Sequence, residues 1–298
     1  MKRLKFLSFS ILLMAVCSCN GRLSDCQDTR TYQFSDSCKF VSLNVMLELP
    51  AGKDPVSQKI REALIADFVM NSQQPAADGG QTQVAQPLLG DGYDIQALVD
   101  SCGKATYGYL LASAEEVCNA SKAYLDKDST LTPEEKERIL SEVPQWEFDL
   151  KVCRQTEAPN FVVYNSFAYV YYGGAHGGVT GSGSLTFDKA TGSKIDRFIR
   201  NDATGSIQPL LRDGLRRYYK GCGEELSDSE LMERLFIEDS TIPLPVDAAC
   251  PNAAGDSLIF TYRQYEIASY ADGMPSFGIP VGELGSFLTQ EGLSLLGE

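Results

Sequence analysis

One histidine, His176, stands in 298 residues, so a catalytic device built on an imidazole base uses that residue or none. No GxSxG, HExxH or P-loop pattern occurs, and Ser182 and Ser184, beside Gly181 and Gly183, read as loop residues rather than nucleophiles. CxxC pairs are also missing, which with a lone histidine argues against zinc; no metal and no cofactor are expected. No repeat recurs at a fixed period, which removes solenoids and propellers. Positive charge is in short supply. Lys and Arg number 26 against 40 Asp and Glu, a formal net charge of −14, and this excludes nucleic acid as a partner.

What is present begins with a leader. Lys2, Arg3 and Lys5 form a basic head, and the run from Phe6 to Val16 is too short for a comfortable membrane span, so residues 1–18 are expected to be a signal peptide. Bulky Val16 precedes Cys17, whereas small Ser18 precedes Cys19, and the lipobox pattern therefore predicts Cys19 as the lipidated N-terminus. Acyl chains there bury CH₂ groups at ~0.8 kcal/mol each, enough to hold the chain on a membrane. Residues 19–30 read as a polar tether, with structure beginning near Thr31. The expectation is a lipid-anchored cell-envelope protein at the outer membrane, on a face the sequence leaves open. Removing the leader's three cations takes the formal charge from −14 to −17, which attracts a basic partner or simply keeps the body soluble.

Seven more cysteines, Cys26, Cys38, Cys102, Cys118, Cys153, Cys222 and Cys250, fall in an oxidising compartment on this reading. A helical insert between GCGE and AACP is expected to bring Cys222 and Cys250 together as a disulfide, the other pairs staying open. Cys102 and Cys118 are excluded as a pair if one straight helix carries both, because sixteen residues at a rise of ~1.5 Å put them about 24 Å apart.

Along the chain, Phe40 to Leu49 alternates Val41, Leu43, Val45, Leu47 and Leu49 with polar residues, a half-buried strand ended by Pro50. Asp54-Pro55 starts a helix as N-cap and first-turn proline. Asn71 to Asp91 is a Gln, Pro, Gly and Ala-rich loop, and a helix follows from about Asp94, with Gly103 and Gly108 as possible bends. Thr132-Pro133-Glu134-Glu135 is a capping box opening a short acidic helix. Trp146 to Cys153 is a strand that turns back as a hairpin into the two-sided apolar run Phe161 to Tyr172. Later, Ser206 to Tyr219 and Ser227 to Phe236 are helical, Ile242 to Pro245 is extended, and the strand Leu258 to Tyr262 pairs with Phe277 to Pro280 ahead of a short helix around Leu284 to Leu288.

Between these parts lies a glycine-rich corner. Gly173, Gly174, Gly177 and Gly178 surround Ala175 and His176, a density that calls for positive φ or close backbone approach. Ser184 to Asp188 is a strand with one wet face, and Asp188-Lys189-Ala190-Thr191-Gly192 is a turn returning the chain through Lys194 and Ile195. The blocks YYGGAHGG, SLTFDKATGSKI and LIFTYRQYEIASYADGMPSFGIPVGEL resemble a tandem of two domains of unknown function. That tandem forms the extracellular region of the anti-sigma-V factor and is related to domains found with peptidoglycan deacetylases and in Bacteroides-type lipoproteins.

The resemblance implies a binding module, with lysozyme, which is often basic, or peptidoglycan as partner; there is no cytoplasmic sigma-binding segment, so the anti-sigma role does not carry over. The expected fold is α+β, with antiparallel or mixed sheets, helices packed on one face, and two related or intimately joined subdomains, 31–172 and 173–298, the second carrying the helical insert. Candidate binding residues are Tyr171, Tyr172, His176, Asp188, Tyr265, Glu266 and Tyr270. For His176 a packed structural role and a contact role both stand, as do core packing and ligand stacking for the tyrosines, and turn capping for the carboxylates. A peptidoglycan or glycan hydrolase or esterase using His176 or a carboxylate pair is the alternative, and no catalytic residue is assigned.

Overall fold

The computed structural model describes residues 28–72, 94–174 and 176–297. The expected signal peptide, the lipid site Cys19, Cys26, nearly all of the tether and nearly all of the Asn71 to Asp91 loop lie outside the described residues.

Among the described residues, six strands form one sheet in chain order: β1 (Thr29–Ser37), β2 (Val41–Pro50), β3 (Trp146–Glu157), β4 (Phe161–Tyr171), β5 (Gly178–Asp188) and β6 (Lys194–Ile195). Neighbours run antiparallel except β2 and β3, which are parallel. A parallel pair needs a crossover, and the chain supplies it with helices α1 (Pro55–Ser72), α2 (Ile95–Lys127) and α3 (Pro133–Ser141). The first two cover one face of the sheet. The alternation in β2 turns Val41, Leu43, Val45, Leu47 and Leu49 inward, where they meet Phe148, Leu150 and Val152 of β3 and Ile60, Leu64 and Phe68 of α1. Each end of the crossover is set by a cap. The Ser57 amide donates to Asp54 Oδ1 at 2.9 Å, the Ala97 amide to Asp94 Oδ1 at 3.1 Å, and Thr132 with Glu135 closes the capping box of α3. Helix α2 is continuous through both glycines. Gly103 earns its place by proximity: a Cβ there would lie 2.1 Å from the ring of Phe34, so α2 sits on β1 only because position 103 is bare.

Strand β1 is a correction. Thr29 and Arg30, assigned to the tether, are its first residues, and its pattern escapes sequence reading because most of its side chains are exposed. Its pairing with β2 runs from Thr29↔Pro50 to Ser37↔Ser42.

Strand β4 is buried on both faces. Val162, Tyr164, Ala168 and Val170 enter the helix-covered core, while Phe161 and Val163 enter a second core built by the C-terminal third. That second body contains α4 (Gln208–Gly221), α5 (Asp228–Arg234), a small antiparallel sheet of β7 (Cys250–Pro251), β8 (Ser257–Thr261) and β9 (Ser276–Pro280), then α6 (Val281–Leu284) and α7 (Gln290–Leu296). Leu211, Leu215 and Tyr219 of α4 pack with Phe260, Tyr262 and Ile279. The fold is α+β, and two cores meet on one strand. The expected boundary at 172/173 therefore falls between β4 and β5, which are hydrogen-bonded to each other along ten residue pairs.

The Cys222 to Cys250 disulfide is not formed. Cys222 is exposed at the C-cap of α4, whereas Cys250 is buried on β7 beside Ser184, and both are free thiols. Cys102 and Cys118, carried by the single helix α2, are not bonded to each other. No described helix is long and apolar enough to cross a membrane.

Candidate binding site

Strand β4 ends at Tyr171, and the chain must reverse into β5 within six residues. Gly173 makes the first bend at φ +73°, closed to most other residues, against the indole of Trp146. Tyr172 packs edge-on against the same indole with ring centroids 5.0 Å apart, and the Tyr171 hydroxyl donates to the Gly174 carbonyl at 3.0 Å. Gly177 fits beneath Tyr169, where a Cβ would lie 2.0 Å from the phenol oxygen. Gly174 and Gly178 face open space. Only two of the four corner glycines are thus required by the geometry.

The corner presents His176 outward. Its ring stacks on Tyr270 with centroids 3.9 Å apart and planes 19° from parallel. Nδ1 lies 3.3 Å from the Gly177 carbonyl, an acceptor, so that nitrogen carries the proton and Nε2 faces the Tyr265 hydroxyl at 3.5 Å. Tyr265 completes the shelf, its ring 5.8 Å from that of Tyr270.

Tyr265 is held in an unfavourable backbone state. Its φ is +63°, and its side chain is 57% exposed, so no core packing explains why a bulky aromatic occupies a left-handed position. Its neighbour supplies the restraint. Glu266 accepts from the amides of Arg263 and Val246, both at 2.7 Å, and pins the loop from two sides. Burial pushes the Glu266 carboxyl above its usual range, against the pull of those two amides. Tyr270 is held by the segment that follows it: Asp272 caps the Ser269 amide and hydroxyl and pairs with Arg234, which itself lies over the ring of Tyr219 at 4.8 Å.

His176, Tyr265 and Tyr270 border, with Tyr172 and Gln264, a shallow cavity of about 320 Å³, whose polar side chains are the His176 imidazole, the Tyr172, Tyr265 and Tyr270 phenols and the Gln264 amide. Gln264 Oε1 also accepts from the amide of Val179, tying the tail loop to β5. Among the described residues no Asp, Glu, Ser or Cys side chain lines this cavity, and the hydroxyl facing His176 is that of Tyr265. No group of three His, Cys, Asp or Glu that could hold a metal ion occurs among the described residues.

Of the residues expected at a site, the fold brings together Tyr172, His176, Tyr265 and Tyr270, with Tyr171 bracing the corner. Asp188 lies elsewhere, accepting from the amides of Ala190 and Thr191 in the β5 to β6 turn. Glu266 turns into its own loop. Trp146 and Gln264 stand outside the expected site residues, and Tyr169 is one of the tyrosines for which core packing and ligand stacking both stand. Trp146 opens β3, which pairs with β4 beside the corner, and Tyr169 lies on β4, which enters it; Gln264 stands within the tail block TYRQYEI, where no feature singles it out.

No protein-family model matches the chain, and no curated protein matches it. Among solved structures, a protein of Bacteroides fragilis described as a member of the DUF3298 family is similar at TM-score 0.60 and 15% identity, covering 91% of this chain and 97% of that one. A DUF3298 family protein of Pseudomonas aeruginosa is similar at TM-score 0.55 and 12% identity, covering 89% and 96%. At these identities the likeness is one of fold: the chain has the architecture of DUF3298 family proteins along nearly its whole length.

Proposed function

We propose that the chain is a cell-envelope binding module, anchored through lipid on Cys19 at the outer membrane, whose contact surface is the shelf of His176, Tyr265 and Tyr270 with Tyr172 at its edge. The observation that carries this reading is the backbone strain at Tyr265: an exposed aromatic ring, whose ring partners are the other shelf residues His176 and Tyr270, is kept at positive φ, and such positions cluster where side chains meet ligands. Rings with wet polar tips suit either of two ligands. Sugar faces of a wall glycan stack on such a surface, and a basic protein such as lysozyme meets both aromatic anchors and the acidic charge of the body. The resemblance to the extracellular region of the anti-sigma-V factor supports the second.

The chain's one tryptophan reports on the shelf, since Trp146 touches Tyr172. Adding lysozyme or peptidoglycan fragments to the full chain should change Trp146 emission saturably in the micromolar range. If neither ligand binds in that range by emission or calorimetry, the binding module reading fails.

A further inference from the structure

A second cavity of about 250 Å³ opens between α1, the outer edge of β5 and the segments carrying Asp247 and Arg263. Its floor is polar. Asp67 Oδ2 accepts from the Ser166 hydroxyl at 2.5 Å and from Asn71 Nδ2 at 3.0 Å. Arg263 grips Asp247 with two parallel bonds, Nε to Oδ2 at 2.7 Å and Nη2 to Oδ1 at 2.6 Å. Gly183 makes room for that pair, because a Cβ there would lie 3.0 Å from Asp247 Oδ1. Two apolar side chains in the lining, Met70 and Val246, stand 63% and 72% exposed.

The charges in this cleft are compensated before any ligand arrives. Arg263 is matched by Asp247, and Lys194 lies 3.0 Å from Asp196. Asp67 Oδ2 is engaged by the Ser166 hydroxyl and the Asn71 amide, and burial pushes its carboxyl above the usual range. A charged ligand would find the charged groups already engaged by partners within the cleft, whereas one with several hydroxyls and an amide would find donors and acceptors fixed in direction, with two apolar side chains beside them.

The two cavities also share elements. One is bordered by Gly178, Val179, Gln264 and Tyr265, the other by Gly183, Ser184 and Arg263. They lie along the same outer edge of β5, which β6 covers only at Thr186 and Phe187. Five residue steps from Val179 to Ser184, at ~3.3 Å each, separate them by about 17 Å.

We propose that the polar cleft is a saccharide subsite that takes one neutral sugar residue, and that, resting on the reading of the shelf given above, cleft and shelf together seat a glycan chain along the outer edge of β5. Asp247 is held by both its oxygens in the Arg263 pair and serves to fix the cleft wall.

Met70 reports on the cleft as Trp146 does on the shelf. The full chain carrying ¹³C-methyl methionine should show a saturable shift of the Met70 methyl with N-acetylglucosamine at millimolar concentration. The shift should be tighter with β-1,4-linked oligomers, absent in Val246→Trp, which fills the cleft from an exposed position, and weak with glucosamine or glucuronate. A Met70 methyl unmoved by both monomer and oligomer overturns the subsite, whatever Trp146 does. An equal response to the charged sugars overturns the argument from compensated charge. If Met70 shifts while Trp146 emission is constant with oligomers, the shelf reading and the continuous chain fail, and the cleft stands alone.

Discussion

Replacing the four corner glycines by alanine, one at a time, separates backbone strain, steric conflict and open space within a few residues. Gly173→Ala keeps φ at +73°, a region that costs a residue with a Cβ roughly 1–2 kcal/mol, and sets the new methyl 3.1 Å from the Trp146 indole nitrogen. Reduced freedom of the unfolded chain returns about 0.4–1 kcal/mol, so a net loss of about 1 kcal/mol is expected. Gly177→Ala has ordinary φ, yet its methyl would sit 2.0 Å from the Tyr169 oxygen, and moving a packed ring costs about 1–3 kcal/mol. For Gly174→Ala and Gly178→Ala no heavy atom lies within 4 Å and φ is not positive, so only the unfolded-state term acts and stability should hold or rise. Urea midpoints of the four variants check this. With a slope of about 1–3 kcal/mol per molar, the first two should fall by some tenths of a molar while the other two do not. Equal midpoints for all four, or a loss in Gly174→Ala as large as in Gly173→Ala, would show that the corner is not held as described.

Asp67→Asn tests the buried carboxyl. Its folded pKa is raised by burial, so the folded state holds the proton more tightly than the unfolded chain, and stability falls as pH rises from the unfolded value near 4 through the raised one. The amide oxygen of asparagine still accepts from Ser166 and Asn71; the variant should match or exceed the parent at neutral pH and lack that decline, which urea midpoints across pH 4–8 read directly. Cys222→Ser should leave the midpoint unchanged in oxidising and reducing buffer alike, because a lost disulfide would cost about 2–5 kcal/mol. In the parent, an alkylating reagent should modify Cys222 without denaturant and Cys250 only after unfolding.

Much of the fold is legible in the sequence where one residue dictates one local state. The alternation in β2, the Asp54-Pro55 start of α1, the Thr132 to Glu135 capping box and the Asp188 to Gly192 turn all appear as expected, Gly192 at φ +67°. Pairing of the apolar strand β8 with the tail strand β9 is also as expected, from Ser257↔Pro280 to Thr261↔Ser276. What fails to show is what depends on distant partners. The β2 to β3 register, Val41↔Trp146 onward, joins segments a whole crossover apart, and parallel pairing leaves no turn to announce it. Strand β1 lacks an apolar run because most of it faces solvent. The disulfide inference took nearness in sequence for nearness in space. At the site, glycine density located the corner and the aromatic blocks supplied three of the shelf's four rings. The cleft was invisible: Asp67, Asp247 and Arg263 come from three separate segments, each unremarkable alone.

Tyr265 offers the most direct test of the binding account. Asparagine tolerates positive φ, so Tyr265→Asn removes the exposed ring while leaving the φ +63° turn and the Glu266 clamp in place. Titration of the full chain and of this variant with lysozyme and with peptidoglycan fragments, followed by Trp146 emission, is the measurement. The account predicts an unchanged or higher urea midpoint together with at least a tenfold loss of affinity, about 1.4 kcal/mol, for whichever ligand the parent binds. Affinity equal to the parent's, in a variant that folds as well, would contradict it.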